Sequence, residues 1–166
     1  LHCDVGFYYL GLATDQQQLA YVLRPGEDDA PPGLRAGLAL GNRLQEIHLE
    51  AMEVGRTGNE VLRAALERAG DEGLEPMIYT HALGTHGHGA GPTIGLWDRQ
   101  EGVPGRGDYP LWPDTCYAIE LNVRAPVPEW DGQVVMFALE EDAVRARGQV
   151  RWLAGRQAQL HLVGPG

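Results

Sequence analysis

Two apolar, strand-like runs in the second half of the chain each carry glutamate, and this limits what the chain can fold into more than any other feature. One run is Cys116-Tyr117-Ala118-Ile119-Glu120-Leu121; the other extends from Val134 to Asp142 and holds Glu140 and Glu141. A strand alternates its side chains between two faces. Val135, Phe137, Leu139 and Glu141 therefore share one face, and Met136, Ala138, Glu140 and Asp142 share the other. This phase predicts Glu141 among the large apolar residues and Glu140 pointing away. Charged side chains are almost never fully buried unless they are paired or bind a metal, so the fold must bring a partner to Glu120 and Glu141.

Candidate partners occur earlier in the chain. Asp4 and Asp15 lie on the two arms of a strand-like stretch, Leu1 to Leu12 and then Gln16 to Arg24, which turns near Tyr9, Leu10 and Gly11. A two-residue turn between them sets the two carboxylates directly opposite one another, with Cβ atoms about 4.5–5.5 Å apart. Carboxylates at that spacing repel unless a cation sits between them, and hard divalent ions take oxygen ligands of this kind. A histidine-rich segment follows at Thr80-His81-Ala82-Leu83-Gly84-Thr85-His86-Gly87-His88. In an extended chain His81 and His88 face opposite ways, so the Gly84 and Gly87 region is expected to bend if both are to reach one cleft. On spacing alone any of His81, His86 and His88 is eligible as a ligand.

The ordered set Asp, Asp, His, Glu, Glu resembles the pita-bread metallopeptidases, the family of methionine aminopeptidase, aminopeptidase P, prolidase and the metal-free creatinase. The D-x-G motif is matched by Asp4-Val5-Gly6 with Asp15, the H-x-x-G-x-x-x-H motif by His81, Gly84 and His88, and the two glutamate strands by Ile119-Glu120-Leu121 and Glu140-Glu141-Asp142. The resemblance implies an α+β pita-bread fold, a curved antiparallel sheet with packed helices. It implies Asp4, Asp15, His81, Glu120 and Glu141 as metal ligands, with Asp15 and Glu141 bridging two divalent ions. His88 takes the substrate or transition-state role, Glu120 doubles as a proton carrier, and His86 and Trp97 are lesser substrate-pocket candidates. Oxygen-rich ligands with one imidazole favour manganese, with cobalt, iron or zinc also accommodated. Two such ions can polarise a scissile carbonyl and acidify a water. The implied reaction is hydrolysis of an amide near a peptide N-terminus, of Xaa-Pro type, on a short peptide substrate.

The pattern also departs from the family. Gly89 stands where an acidic residue is common, Leu121 replaces the proline after the first glutamate, and Leu139 occupies the place of an arginine two before the last. A further family histidine lies upstream of the first Asp, on strands this sequence does not contain. The expectation is one catalytic domain over residues 1–166, truncated at its N-terminus. Two other readings share the resemblance: a catalytically silent homologue serving as a binding module, and a creatinase-like hydrolase of a small non-peptide compound.

The formal charge of −10 disfavours a nucleic-acid partner. Four carboxylate ligands and two divalent ions would cancel part of it. No apolar run approaches the roughly 20 residues of a membrane span, so no membrane partner is expected, and a homodimer is an admitted assembly. Cys3 and Cys116 are too few for a disulfide framework and read as small buried filler in a reduced, cytoplasmic protein. Leu40, Leu44, Ile47, Ala51 and Val54 mark an amphipathic helix ending at Gly55, with His48 at or near its surface. Val61, Leu62, Ala65, Leu66 and Ala69 mark a second, capped near Thr57 or Asn59 and stopped at Gly70. The Gly- and Pro-rich stretch from Gly91 to Pro113, leaving directly from His88, is expected to border the site with its aromatic residues.

Overall fold

The computed structural model describes residues 1–164. The chain opens with strand β1 (His2–Val5), a two-stranded ribbon of β2 (Tyr8–Tyr9) and β3 (Leu12–Ala13), and strand β4 (Gln16–Val22). Helices α1 (Pro32–Ala51) and α2 (Gly58–Asp71) follow. Strands β5 (Pro76–Ile78), β6 (His81–Leu83), β7 (Thr115–Val127), β8 (Gln133–Ala146), β9 (Gln149–Trp152) and β10 (His161–Val163) complete it. The architecture is α+β, with a curved sheet in the order β1-β4-β8-β7-β5. Within it β6 continues the line of β5 along β7, β9 pairs with β8, and every pairing is antiparallel except that of β10 with β4.

Helix α1 begins earlier than its apolar stripe suggested, because Pro32 suits the first helical position, where a missing N–H costs nothing. Its buried line runs through Leu34, Leu38, Leu44, Ile47 and Ala51, and Leu40 and Val54 are exposed. Gly37 and Gly41, one turn apart, let α1 lie close on the sheet. A Cβ on Gly37 would meet the Phe137 ring at 2.1 Å, and one on Gly41 would meet Leu139 Cδ1 at 2.6 Å. In α2, Thr57 and Glu60 form the capping box, and Val61, Leu62, Ala65 and Ala69 are buried.

This packing decides which face of β7 and β8 is the core. Tyr117, Ile119, Leu121, Val123, Phe137 and Leu139 join the hydrophobic core together with the helices. Glu141 shares their face, and Glu120 and Glu140 project from the opposite one. His48 is fully buried rather than superficial: its Nε2 meets Thr80 Oγ1 at 3.0 Å, and burial pushes its pKa down to about 3. The cysteines are both unpaired, Cys116 half-buried and Cys3 exposed, so Cys3 is not core filler. No helix among the described residues is long and apolar enough to cross a membrane.

Candidate metal centre

The sheet register lines up the site residues in one transverse row. Asp4 on β1 pairs with Gln17 on β4, Gln17 with Glu140 on β8, and Glu140 with Glu120 on β7. Paired residues project from the same face, so four adjacent strands place Asp4, Gln17, Glu140 and Glu120 side by side. Two positions along each inner strand, the same face carries Asp15, Asp142 and Ala118, and Ala118 pairs with His81 on β6.

The turn at the tip of the first hairpin lies one residue later than the sequence suggested. Tyr8 pairs with Ala13 and Tyr9 with Leu12, leaving Leu10 and Gly11 in the turn, both with positive φ. Asp4 therefore faces Gln17 instead of Asp15. The two aspartates still converge, because Asp15 stands two residues from Gln17 on the same face. Ligand atoms of Asp4, Asp15 and Glu140 lie within 4.8 Å of one another, as do those of His81, Glu120 and Glu140 and those of Asp15, His81 and His88.

His81 is the centre of this arrangement. Its Nδ1 lies 3.2 Å from the carbonyl oxygen of Ala82, which only accepts, so in the neutral ring Nδ1 carries the proton and Nε2 the lone pair. Nε2 faces Glu140 Oε1 at 3.5 Å, Asp15 Oδ2 at 3.8 Å and Glu120 Oε2 at 3.9 Å. These separations exceed a good hydrogen bond. Consistent with that, His81 Nε2 and Glu140 Oε1 are both buried and without a hydrogen-bond partner. Two orphaned buried atoms facing one another inside a ring of carboxylates form a donor set suited to a divalent cation, which would satisfy both.

The electrostatics agree. Burial, and then the neighbouring Glu140, push Glu120 up to about 8. Burial pushes Asp142 up to about 6 and raises Asp15 and Glu140 as well. Burial alone would lower His81, but its contacts with Glu140, Ala82 and Glu120 together outweigh that and raise it. A cluster that retains protons this strongly is one in which positive charge is missing.

The structure thus brings Asp4, Asp15, His81, His88 and Glu120 together and excludes Glu141. Glu141 lies on the helix side, where Oε1 accepts from the Gln157 backbone N–H at 2.8 Å and Oε2 from the Gln45 amide. The alternation along β8 holds, but its apolar face is the helix-covered one, so Glu140 takes the place expected for Glu141. Gln17 and Asp142 also stand on this open face. Gln17 was hidden by the one-residue register offset; Asp142 could have been found from its sharing a face with Glu140. The chain bends over Gly84 to His88 after β6, and this brings the exposed His88 ring to stack on His81, centroids 3.9 Å apart and planes 11° off parallel. Burial and the adjacent His81 lower the pKa of His88. His86 is exposed on this bend, outside the three ligand groups. Trp97 is exposed in the tight turn between Leu96 and Arg99, whereas Tyr109 and Trp112 line a depression with Ala90, Gly91 and Pro92, close after His88.

No family model matches the sequence, and no curated protein does. Solved structures do. Dipeptidase PepE from Mycobacterium ulcerans superposes with a TM-score of 0.69 at 20% identity, over 99% of this chain and 40% of its own. The X-Pro aminopeptidase of Thermotoga maritima gives 0.67 at 18% identity, over 96% and 40%. The N-terminal domain of the FACT complex subunit SPT16 from Eremothecium gossypii gives 0.72 at 12% identity, over 98% and 36%. The fold is the pita-bread fold, and the chain spans about 40% of the length of the peptidases it resembles.

Proposed function

We propose that this chain carries the metal-binding part of a metal-dependent peptidase that hydrolyses an amide near a peptide N-terminus, of the Xaa-Pro type. The observation that carries the proposal is the pair of orphaned buried atoms, His81 Nε2 and Glu140 Oε1, enclosed by Asp15 and Glu120. Asp4, Asp15 and Glu140 would hold one divalent ion, and His81, Glu120 and Glu140 a second, with manganese the expected metal. Such ions supply Lewis acidity, polarising a carbonyl and acidifying water. The protein's own groups do the rest. Glu120, anchored through Oε1 by the Gln17 amide, serves as a proton carrier toward a leaving amine as well as a ligand. His88, exposed and braced against His81, offers its ring to the substrate carbonyl or the developing oxyanion.

The likeness to SPT16 favours a second reading, a binding module on the same fold. Metal analysis after dialysis against manganese, followed by a panel of Xaa-Pro and Met-Xaa peptides, separates the two. Retained ion with cleavage of the Xaa-Pro set supports the peptidase; less than half an equivalent of ion, by order of magnitude, and no cleavage select the binding module.

A further inference from the structure

Gln17 is the one neutral member of an otherwise acidic row, held between Asp4 on one neighbouring strand and Glu140 on the other. It is 3% exposed. Its Nε2 donates to Glu120 Oε1 at 2.8 Å and lies 3.4 Å from Asp4 Oδ2. Its Oε1 meets His2 Nε2 at 2.9 Å. Carboxylates that hold an ion are deprotonated and only accept hydrogen bonds, so in the loaded site the NH2 end faces them and the oxygen is left to His2, whose ring donates from the tautomer protonated at Nε2. The two carboxylates therefore set the orientation of the amide, and His2 supports its oxygen end.

This geometry divides the work of the Glu120 carboxylate. Oε1 is occupied by Gln17, while Oε2 is the oxygen turned toward His81 Nε2. Asp4 gains the same anchor, and it needs one more: it is exposed and sits on β1, away from the buried centre of the sheet. Asp4 belongs to one candidate ion group and Glu120 to another, on strands separated by β4 and β8. Gln17 is the side chain that spans them.

We infer that Gln17 is a positioning residue of the metal centre, an amide clamp that fixes the Asp4 and Glu120 carboxylates so that their free oxygens converge on the ion sites. The inference rests on the metal reading proposed above. Partners that orient metal ligands typically contribute 10- to 100-fold in metal affinity. Gln17→Met keeps the length and shape of the side chain and removes both the donor and the acceptor.

The test is calorimetric titration of manganese chloride into wild type, Gln17→Met and His2→Ala, with the thermal midpoint of each metal-free protein measured alongside. Gln17→Met is expected to bind manganese about 10- to 100-fold more weakly. His2→Ala, a change at an exposed residue, is expected to weaken binding in the same direction but less, because the amide keeps its donor and loses only the support at its oxygen end. Should Gln17→Met fail to fold, the His2→Ala result decides alone. Wild-type affinity in Gln17→Met, or in His2→Ala where that variant decides, overturns the clamp and leaves the metal centre standing; absence of manganese binding in wild type itself overturns both.

Discussion

The two faces of strand β8 bury neighbouring glutamates and use them in opposite ways. Glu141, on the face covered by α1, has each carboxylate oxygen matched to a donor, one from the Gln45 side chain and one from the Gln157 backbone. Glu140, on the open face, keeps one oxygen without a hydrogen-bond partner and looks across at an equally unpartnered imidazole nitrogen. Burial alone does not separate them, since both are 1% exposed. What separates them is whether the surroundings supply the missing donors. A buried acid whose hydrogen bonds are complete is part of the packing; one left incomplete beside other incomplete groups marks a place built for something else.

The contrast is most easily broken from the helix side. Gly37→Val should destabilise the protein by ~3 kcal/mol, because the added carbons meet the Phe137 ring and cannot be accommodated without moving α1 off the sheet. Denaturant unfolding of the metal-free protein measures it. A loss well under ~1 kcal/mol would show that α1 does not press on this face as closely as described.

Glu141→Ala should cost less, about 1–3 kcal/mol, by leaving the Gln45 amide and the Gln157 N–H buried without an acceptor. Its ion binding should survive. Destabilisation with retained manganese affinity sharpens the contrast; lost affinity in a folded variant breaks it.

The pH dependence is the subtlest effect. Glu120 titrates at about 8 in the folded chain against an ordinary 4.5, so between those values the native state binds more protons than the unfolded one, and stability falls as pH rises. His81, raised above 6.5, contributes in the same sense, its stabilisation lost as pH rises through its folded value. His48, held down near 3 by burial, acts oppositely, but only below 6.5. Metal-free protein should therefore show a lower thermal midpoint at pH 8 than at pH 6.5. Saturating manganese should remove or reverse that slope, because the ion requires the ligands deprotonated. A flat or rising midpoint without metal would mean the open face is not short of positive charge.

Much of this was legible in the sequence, and the parts that were not have physical reasons. Alternation along β8 separated Glu140 from Glu141 correctly, but alternation cannot say which face a helix will cover. The signal for that lay in Gly37 and Gly41, spaced one helical turn apart, which let α1 reach Phe137 and Leu139. The hairpin carrying Asp4 and Asp15 was visible, yet its register depended on whether Tyr9-Leu10 or Leu10-Gly11 formed the turn. Gly11, which takes positive φ readily, settles it. That single step hid Gln17, since in the run Gln16-Gln17-Gln18 nothing local marks the middle residue. His48 departs from expectation because a helix histidine is usually superficial, and only the tertiary approach of Thr80 gives its Nε2 a partner.

On the proposed function, ion binding belongs to the open face of β8 and not to the helix-covered one. The most direct measurement is manganese titration, by calorimetry, of wild type, Glu140→Gln and Glu141→Gln, each checked for folded structure by circular dichroism. Wild type and Glu141→Gln should bind with similar affinity, and Glu140→Gln should bind at least ~100-fold more weakly, a loss at the upper end of what removing a ligand's mere supporting partner would cause. Glu140→Gln retaining full affinity while Glu141→Gln loses it would contradict the account.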